Sequence, residues 1–311
     1  FPNLDVLDRN VRTFAENGVV GIFEQGNYSA GGGGELSELR AWVLAKLLWD
    51  PSRSGTELIR EYIAGVYGPA AGKVQQFVDR QRQAIRDSGE HVRIFDGVRR
   101  EYLREEILRQ CDQWLQEAAT LAEDTRDAAL SARIQRLRIP VWYTRVMRGG
   151  AIDDEIKTAA AKLGLAAREL KMTHFQEWVK LDGDLKKLEL IMIRKPLPPA
   201  KPGAIVGEDH NFRLHRESEL AAMLQDDKAD DGVAVRQPGR TTEWSVAWDI
   251  PTPKEAIPGA KYLLRARIRV EKKSDAGPAF HIGAYDAENK KSLGEIRIQA
   301  KDIPDGEYRW Y

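Results

Sequence analysis

One cysteine, Cys111, stands in 311 residues. No internal disulfide can form, and no spaced Cys or His companions offer a zinc site. Charge of one sign is also lacking: 48 Lys and Arg balance 48 Asp and Glu, which removes the cationic field that a nucleic-acid backbone requires. No run of roughly 18 uncharged apolar residues occurs, and mean hydropathy is −0.50, so a membrane-spanning helix is excluded. The histidines His91, His174, His210, His215 and His281 show no metal spacing on one helix face. Serine-nucleophile motifs of the Gly-x-Ser-x-Gly type are absent, and Cys111 falls on an apolar helical stripe where a thiol is inert. No metal and no cofactor is expected.

What is present is 42% hydrophobic residues in a chain long enough for a helical domain and a separate β domain. Phe1 rather than Met begins it, no leader pattern precedes Asp5, and Glu307 to Tyr311 reads as a strand in mid-course. Both ends are therefore expected to be internal to a longer protein.

Three segments follow from periodicity. Val6 to Ala15 has helical spacing, Gly18 to Phe23 is a short apolar run that predicts a buried strand, and Leu36 to Leu48 carry the broad apolar face of a helix over 35–49. Helix, strand, loop, helix is the rhythm of a β/α layer. With one strand in the first 200 residues, this can be only the terminal unit of a (β/α)8-type barrel, assigned to residues 1–50. Residues 51–194 read as an α-helical bundle, with helices over 57–66, 70–88, 98–122, 126–147 and 153–179. Residues 91–150 contain eleven Arg, no Lys and nine acids, a pattern that predicts ion pairing along helix faces. Residues 195–204 form a proline-rich linker. From 205 to 311, alternating segments at 243–250, 261–270, 279–285 and 294–300 and at the chain end predict a β-sandwich, jelly-roll-like and truncated. The fold class is α+β multidomain.

Glu24, Gln25, Asn27 and Tyr28 follow the carboxyl end of the predicted strand, the edge where β/α architectures bind ligands. A carboxylate, two amides and a phenol suit sugar hydroxyls, and the ring can also cover a pyranose face. The alternative is that Glu24 caps the next helix or pairs with an arginine while the amides satisfy loop backbone. Gly31 to Gly34 before a helix could hold an anion, but no Gly-Lys-Ser/Thr follows, so a flexible loop is expected. Trp42, Trp49, Trp114, Trp142 and Trp178 fall on helices, where core filling is their ordinary use. Trp244 and Trp248, four apart on a predicted strand, share a face that is either sandwich core or a sugar platform, core being the expectation.

The stretch Gly18 to Tyr28 followed by Leu39 to Pro51 resembles an uncharacterised bacterial family, a domain of unknown function attached to barrels similar to those of glycoside hydrolases. That resemblance continues through Tyr62 to Ala71 and Arg136 to Tyr143, covering the first 190 residues or so. The segment is also similar to the closing β/α unit of the α-glucuronidases, whose pattern Gly18, Val19, Ile22, Asn27, Trp49, Asp50 and Pro51 match; Tyr28 replaces a tryptophan there and Glu24 has no counterpart. The resemblance implies the C-terminal portion of a carbohydrate-active enzyme, an α-glucuronidase-like or hexosaminidase-like glycoside hydrolase. Its acid and base carboxylates would lie on strands before Phe1. Carbohydrate is the implied partner, and an extracellular or periplasmic location is expected. The competing classes are a non-catalytic carbohydrate-binding protein and a cell-surface scaffold.

Overall fold

The computed structural model describes residues 3–24, 34–93, 96–148, 152–175, 180–197, 201, 203–207, 209, 212–215, 219–239, 244–250, 261–304 and 306–311. The chain is mixed helix and sheet, α+β, and divides into two compact units, Phe1–Met192 and Ile193–Tyr311.

The first unit is helical among the described residues: α1 (Leu7–Glu16), α2 (Ser37–Trp49), α3 (Gly55–Tyr67), α4 (Ala71–Ser88), α5 (Glu105–Thr125), α6 (Ala128–Met147), α7 (Asp154–Glu169) and α8 (Leu181–Ile193). Local chemistry sets several of these bounds. Asp127 accepts the Ala129 and Leu130 amides at 2.8 and 3.1 Å and opens α6, while Asp153 accepts from Ile156 at 2.9 Å and opens α7. Each cap satisfies amides that have no partner inside the helix, a contribution of about 1 kcal/mol.

One apolar core draws on both the segment expected as 1–50 and the segment that follows it. Leu7 and Val11 of α1, Leu39, Val43 and Leu47 of α2, Ile59 and Ile63 of α3, Phe77 of α4, Leu115 of α5 and Ile134 of α6 all belong to it. A second core joins Ile139, Trp142 and Val146 of α6 to Leu163 of α7 and to Leu185 and Leu188 of α8. Helix α6 therefore packs on two sides, through Ile134 in the first core and Trp142 and Val146 in the second, while Arg133 and Arg136 stay exposed.

Cys111 is buried on the α5 face that enters the first core, and burial pushes its thiol up to about 12. A thiolate is the reactive form. The native protein should give no reaction with a thiol-specific disulfide reagent at pH 8 and release one thiol in denaturant; stoichiometric native reaction would contradict this packing.

Three expectations are corrected in this unit. The strand over 18–23 does not form. Gly18, at φ 75°, closes α1 through its amide on the Ala15 carbonyl, and the Val19 amide reaches Phe14. Beyond that point no backbone hydrogen bond joins Val20 to Phe23 with other described residues. A strand exists through its ladder, and among the described residues this run has no ladder partner, with Val20 fully exposed and Phe23 88% exposed. The helix expected over 153–179 ends at Glu169, because Lys171 adopts φ 52° and the Met172 amide turns back to Ala167. Helix α8, absent from the periodicity reading, begins where the Leu181 amide meets the Thr173 carbonyl. Finally, Trp49 at the end of α2 is 91% exposed rather than core, whereas Trp142 is buried and Trp42 stacks against Tyr62 at 5.6 Å; Trp178 lies outside the described residues.

The second unit consists, among the described residues, of two-stranded antiparallel ladders. Strand β1 (Arg213–Leu214) pairs with β4 (Val246–Ala247), β2 (Ala222–Gln225) with β3 (Val233–Arg236), β5 (Arg267–Ile268) with β8 (Arg309–Trp310), and β6 (Pro278–Asp286) with β7 (Lys291–Gln299). Of the predicted strands, 279–285 and 294–300 appear nearly whole in β6 and β7, while 243–250 and 261–270 are reduced to two residues each.

Asp226, just after β2, ties this unit together. One of its oxygens accepts the Lys228 amide at 3.0 Å, and the other accepts Arg269 Nη2 at 2.7 Å and the Tyr308 hydroxyl at 2.9 Å. Burial alone would raise the carboxyl, but the Lys228 amide, Tyr308 and Arg269 outweigh it and hold it below its ordinary 3.8. A carboxylate depressed by folding contributes stability that is complete above its ordinary value and is lost as pH falls through the folded one. Hydrogen-exchange protection of residues 222–236 in the intact chain should therefore decline below pH 4, and Asp226→Asn should flatten that decline. An unchanged acid limb would contradict the Asp226 bonds.

Candidate functional site

Of the four residues expected to form a substrate rim, Glu24 is described. It is exposed, directly after Phe23, and no described residue bonds to it. Leu36 occupies the N-cap of α2 without a side-chain cap, and neither a described helix amide nor a described arginine bonds to Glu24. Gln25, Asn27 and Tyr28 lie outside the described residues, as does the glycine run from 31 to 33. The sequence stretch that holds Glu24 is unusual within this unit. Between residues 3 and 50 the exposed large apolar side chains are Phe14, Val19, Val20, Phe23, Leu48 and Trp49, whereas from 51 to 192 the described ones are Leu121, Leu165 and Met192. A stretch about a third as long exposes twice as many.

A second grouping was not foreseen. Arg138 and Arg145, on the buried face of α6, reach carboxylates on neighbouring helices rather than along their own. Arg138 donates through Nε and Nη2 to one oxygen of Asp112 at 3.1 and 2.9 Å, and Trp142 Nε1 donates to the same oxygen at 3.1 Å. The Arg138 guanidinium also lies 4.5 Å from the Trp142 ring centre. Arg145 Nη2 bridges Glu105 of α5 at 2.7 Å and Glu155 of α7 at 3.0 Å. The predicted same-helix pairing holds at Arg109, which meets Glu105 at 3.0 Å four residues back, but not at these two buried arginines. Sequence spacing finds partners on one helix; partners across helices have no fixed offset.

Beside this network is a cleft of about 290 Å³ lined by Asp112, Trp142, Arg145, Glu155, Thr158 and Lys162, among others. Its buried cation, Arg145, is already satisfied by Glu105 and Glu155, and its tryptophan is covered. No described histidine or serine lines it. The arrangement is an electrostatic joint between α5, α6 and α7, holding two arginines that burial would otherwise make costly.

In the second unit, Trp248 and Trp244 part company. Trp248 is half-buried against Gly207, where a methyl group would lie 2.6 Å from the indole ring. Trp244 is 56% exposed, which corrects the expectation that this pair fills a core. The strand that was to align them is only Val246–Ala247.

Among the described residues, no three His, Cys, Asp or Glu side chains are grouped to hold a metal ion, and no helix is long and apolar enough to cross a membrane. Residues 1–79 match a family profile described as a domain of unknown function (DUF4838). No curated protein and no solved structure matches the chain.

Proposed function

We propose that the chain is the C-terminal portion of a carbohydrate-active hydrolase, in which residues 1–50 complete a glycoside hydrolase-like barrel and Glu24, Gln25, Asn27 and Tyr28 form part of its sugar-binding rim. The observation that carries this reading is the exposed apolar run ending at Glu24. Val19, Val20 and Phe23 expose strand-forming side chains, and Val20 to Phe23 have no backbone hydrogen-bond partner among the described residues; a neighbouring barrel strand would pair and cover them. The other faces of α1 and α2 are committed to the helical core, so the segment is held with this run outward. The similarity of Gly18, Val19, Ile22, Asn27, Trp49, Asp50 and Pro51 to the closing unit of α-glucuronidases supports the same placement.

In this reading the proton-transferring carboxylates come from other strands of the barrel. The rim residues bind and orient. An asparagine amide donates to one hydroxyl and accepts from the next, so it fixes ring orientation, and a tyrosine ring covers the apolar face of a pyranose while its hydroxyl stays wet. Residues 51–194 act as a helical bundle bracing the barrel end, and the region from 205 as a β-sandwich module. The protein works outside the cytoplasm, extracellularly or in the periplasm, where polysaccharide is met.

In the full-length protein, Asn27→Ala and Tyr28→Ala should each weaken oligosaccharide binding by roughly 1 to 3 kcal/mol, through unpaired hydroxyls or lost stacking area. Thermal stability should hardly change, since neither side chain is asked to fill a core. Isothermal titration beside thermal melts checks this; unchanged affinity with a lowered melting temperature would assign these residues to structure.

A further inference from the structure

The exposed tryptophan of the second unit stands among groups that suit one kind of ligand. Residues opposite each other in an antiparallel ladder share a face, and β6 and β7 pair His281 with Arg297 and Gly283 with Glu295. Trp244 lies on this face. A methyl group on Gly283 would sit 3.1 Å from Trp244 Cη2, and the His281 ring meets the indole at 4.3 Å between centroids, tilted by 66°. Glycine at 283 therefore lets the tip of the indole reach the strand, and His281 fixes its tilt. Around it, Arg297 Nε donates to Glu295 at 2.6 Å, and Glu295, Arg297 and His281 are all exposed. One aromatic ring is thus held, still open to solvent, beside an ionic pair and an imidazole.

We propose that Trp244, with His281, Glu295 and Arg297 on one face of the β6–β7 hairpin, binds a pyranose ring of a glycan. A pyranose needs an apolar surface for its C–H face and acceptors and donors for the hydroxyls at its edge. The indole supplies the first. Glu295 supplies acceptors and Arg297 donors, and their mutual bond orients both. Charge decides against one other occupant: the opposite signs of Glu295 and Arg297 cancel the field a nucleic acid would need. The ligand class is that of the function proposed above, and the inference rests on that reading for it, but it uses none of residues 18–28.

The test is co-sedimentation of the intact chain with insoluble xylan, cellulose, chitin and starch. The chain should be retained on at least one polymer, and Trp244→Ala should lower that retention about tenfold or more, with circular dichroism unchanged. Trp244→Phe should keep part of it, Glu295→Gln should weaken it several-fold, and Gly283→Val, which displaces the indole, should act like Trp244→Ala. If Trp244→Ala disturbs folding, the Trp244→Phe and Glu295→Gln variants decide. Asn27→Ala and Tyr28→Ala run in the same assay keep the two sites apart. Loss in the Trp244 and Glu295 variants supports this site whatever the rim variants do. Loss confined to the Asn27 and Tyr28 variants overturns it and leaves the rim in place. Equal retention of all variants, or no retention of the wild-type chain on any polymer, also overturns it.

Discussion

Asp112→Ala should destabilise the helical unit by about 3 to 5 kcal/mol, the cost of leaving a buried charge without its partner. The side chains of Arg138 and Arg145 are 9% and 8% exposed, so neither can turn to water when the carboxylate is removed. Arg138 depends on Asp112 for both its Nε and Nη2 bonds, and Trp142 Nε1 would lose its acceptor as well. Arg145 keeps Glu105 and Glu155, which places the loss mainly on α5 and α6 and spares α7. For a unit of this length the melting temperature should fall by about 10 °C. Asp112→Asn, which retains an acceptor oxygen but not the charge, should cost visibly less. A fall under about 1 kcal/mol in the alanine variant would place the network among ordinary surface ion pairs.

A loss of the same order, about 3 to 5 kcal/mol, is expected for Phe77→Ala, by a different cause. Phe77 is among the largest fully buried side chains of α4 and belongs to the core that α1 to α6 share. Removing the ring forfeits its transfer out of water and leaves a void that neighbours close only in part. Because the core includes Leu7 and Leu39 as well as Leu115, this variant should also loosen α1 and α2. Faster exchange across residues 7–16 and 37–49, along with α4, is the accompanying signature. If those two helices keep wild-type protection while α4 loosens, the core is not one cooperative body.

The helices were legible where the signal is local. Glycine punctuation and capping residues placed α3 and α4 to within a few residues, and the three- and four-residue spacing through Leu108, Cys111, Leu115 and Ala118 marked the buried face of α5. The break after Glu169 was not legible, because Leu170 to Thr173 contains neither glycine nor proline and the turn depends on Lys171 entering a left-handed conformation. Gly18 to Phe23 has the composition of a strand, but composition cannot supply a partner. Trp49 continues the apolar rows of α2 yet projects from its last turn, where periodicity says nothing about what covers it. The same limit applies to the sites. Residue types single out Glu24 to Tyr28 as candidates from sequence alone, whereas Asp112 with Arg138 and Trp142, or Trp244 with His281, are joined by packing across 26 to 37 residues of chain.

Release of reducing ends from polysaccharide by the full-length protein, with products identified by mass spectrometry, tests the proposed function most directly. Measured against xylan, cellulose, chitin and starch, wild-type protein should release discrete oligosaccharides from at least one polymer, and Tyr28→Ala should cut that rate about tenfold or more while its fold is kept. Absence of any released sugar from every polymer, or a rate indifferent to both Asn27→Ala and Tyr28→Ala, would contradict the assignment of residues 24–28 to a hydrolase rim.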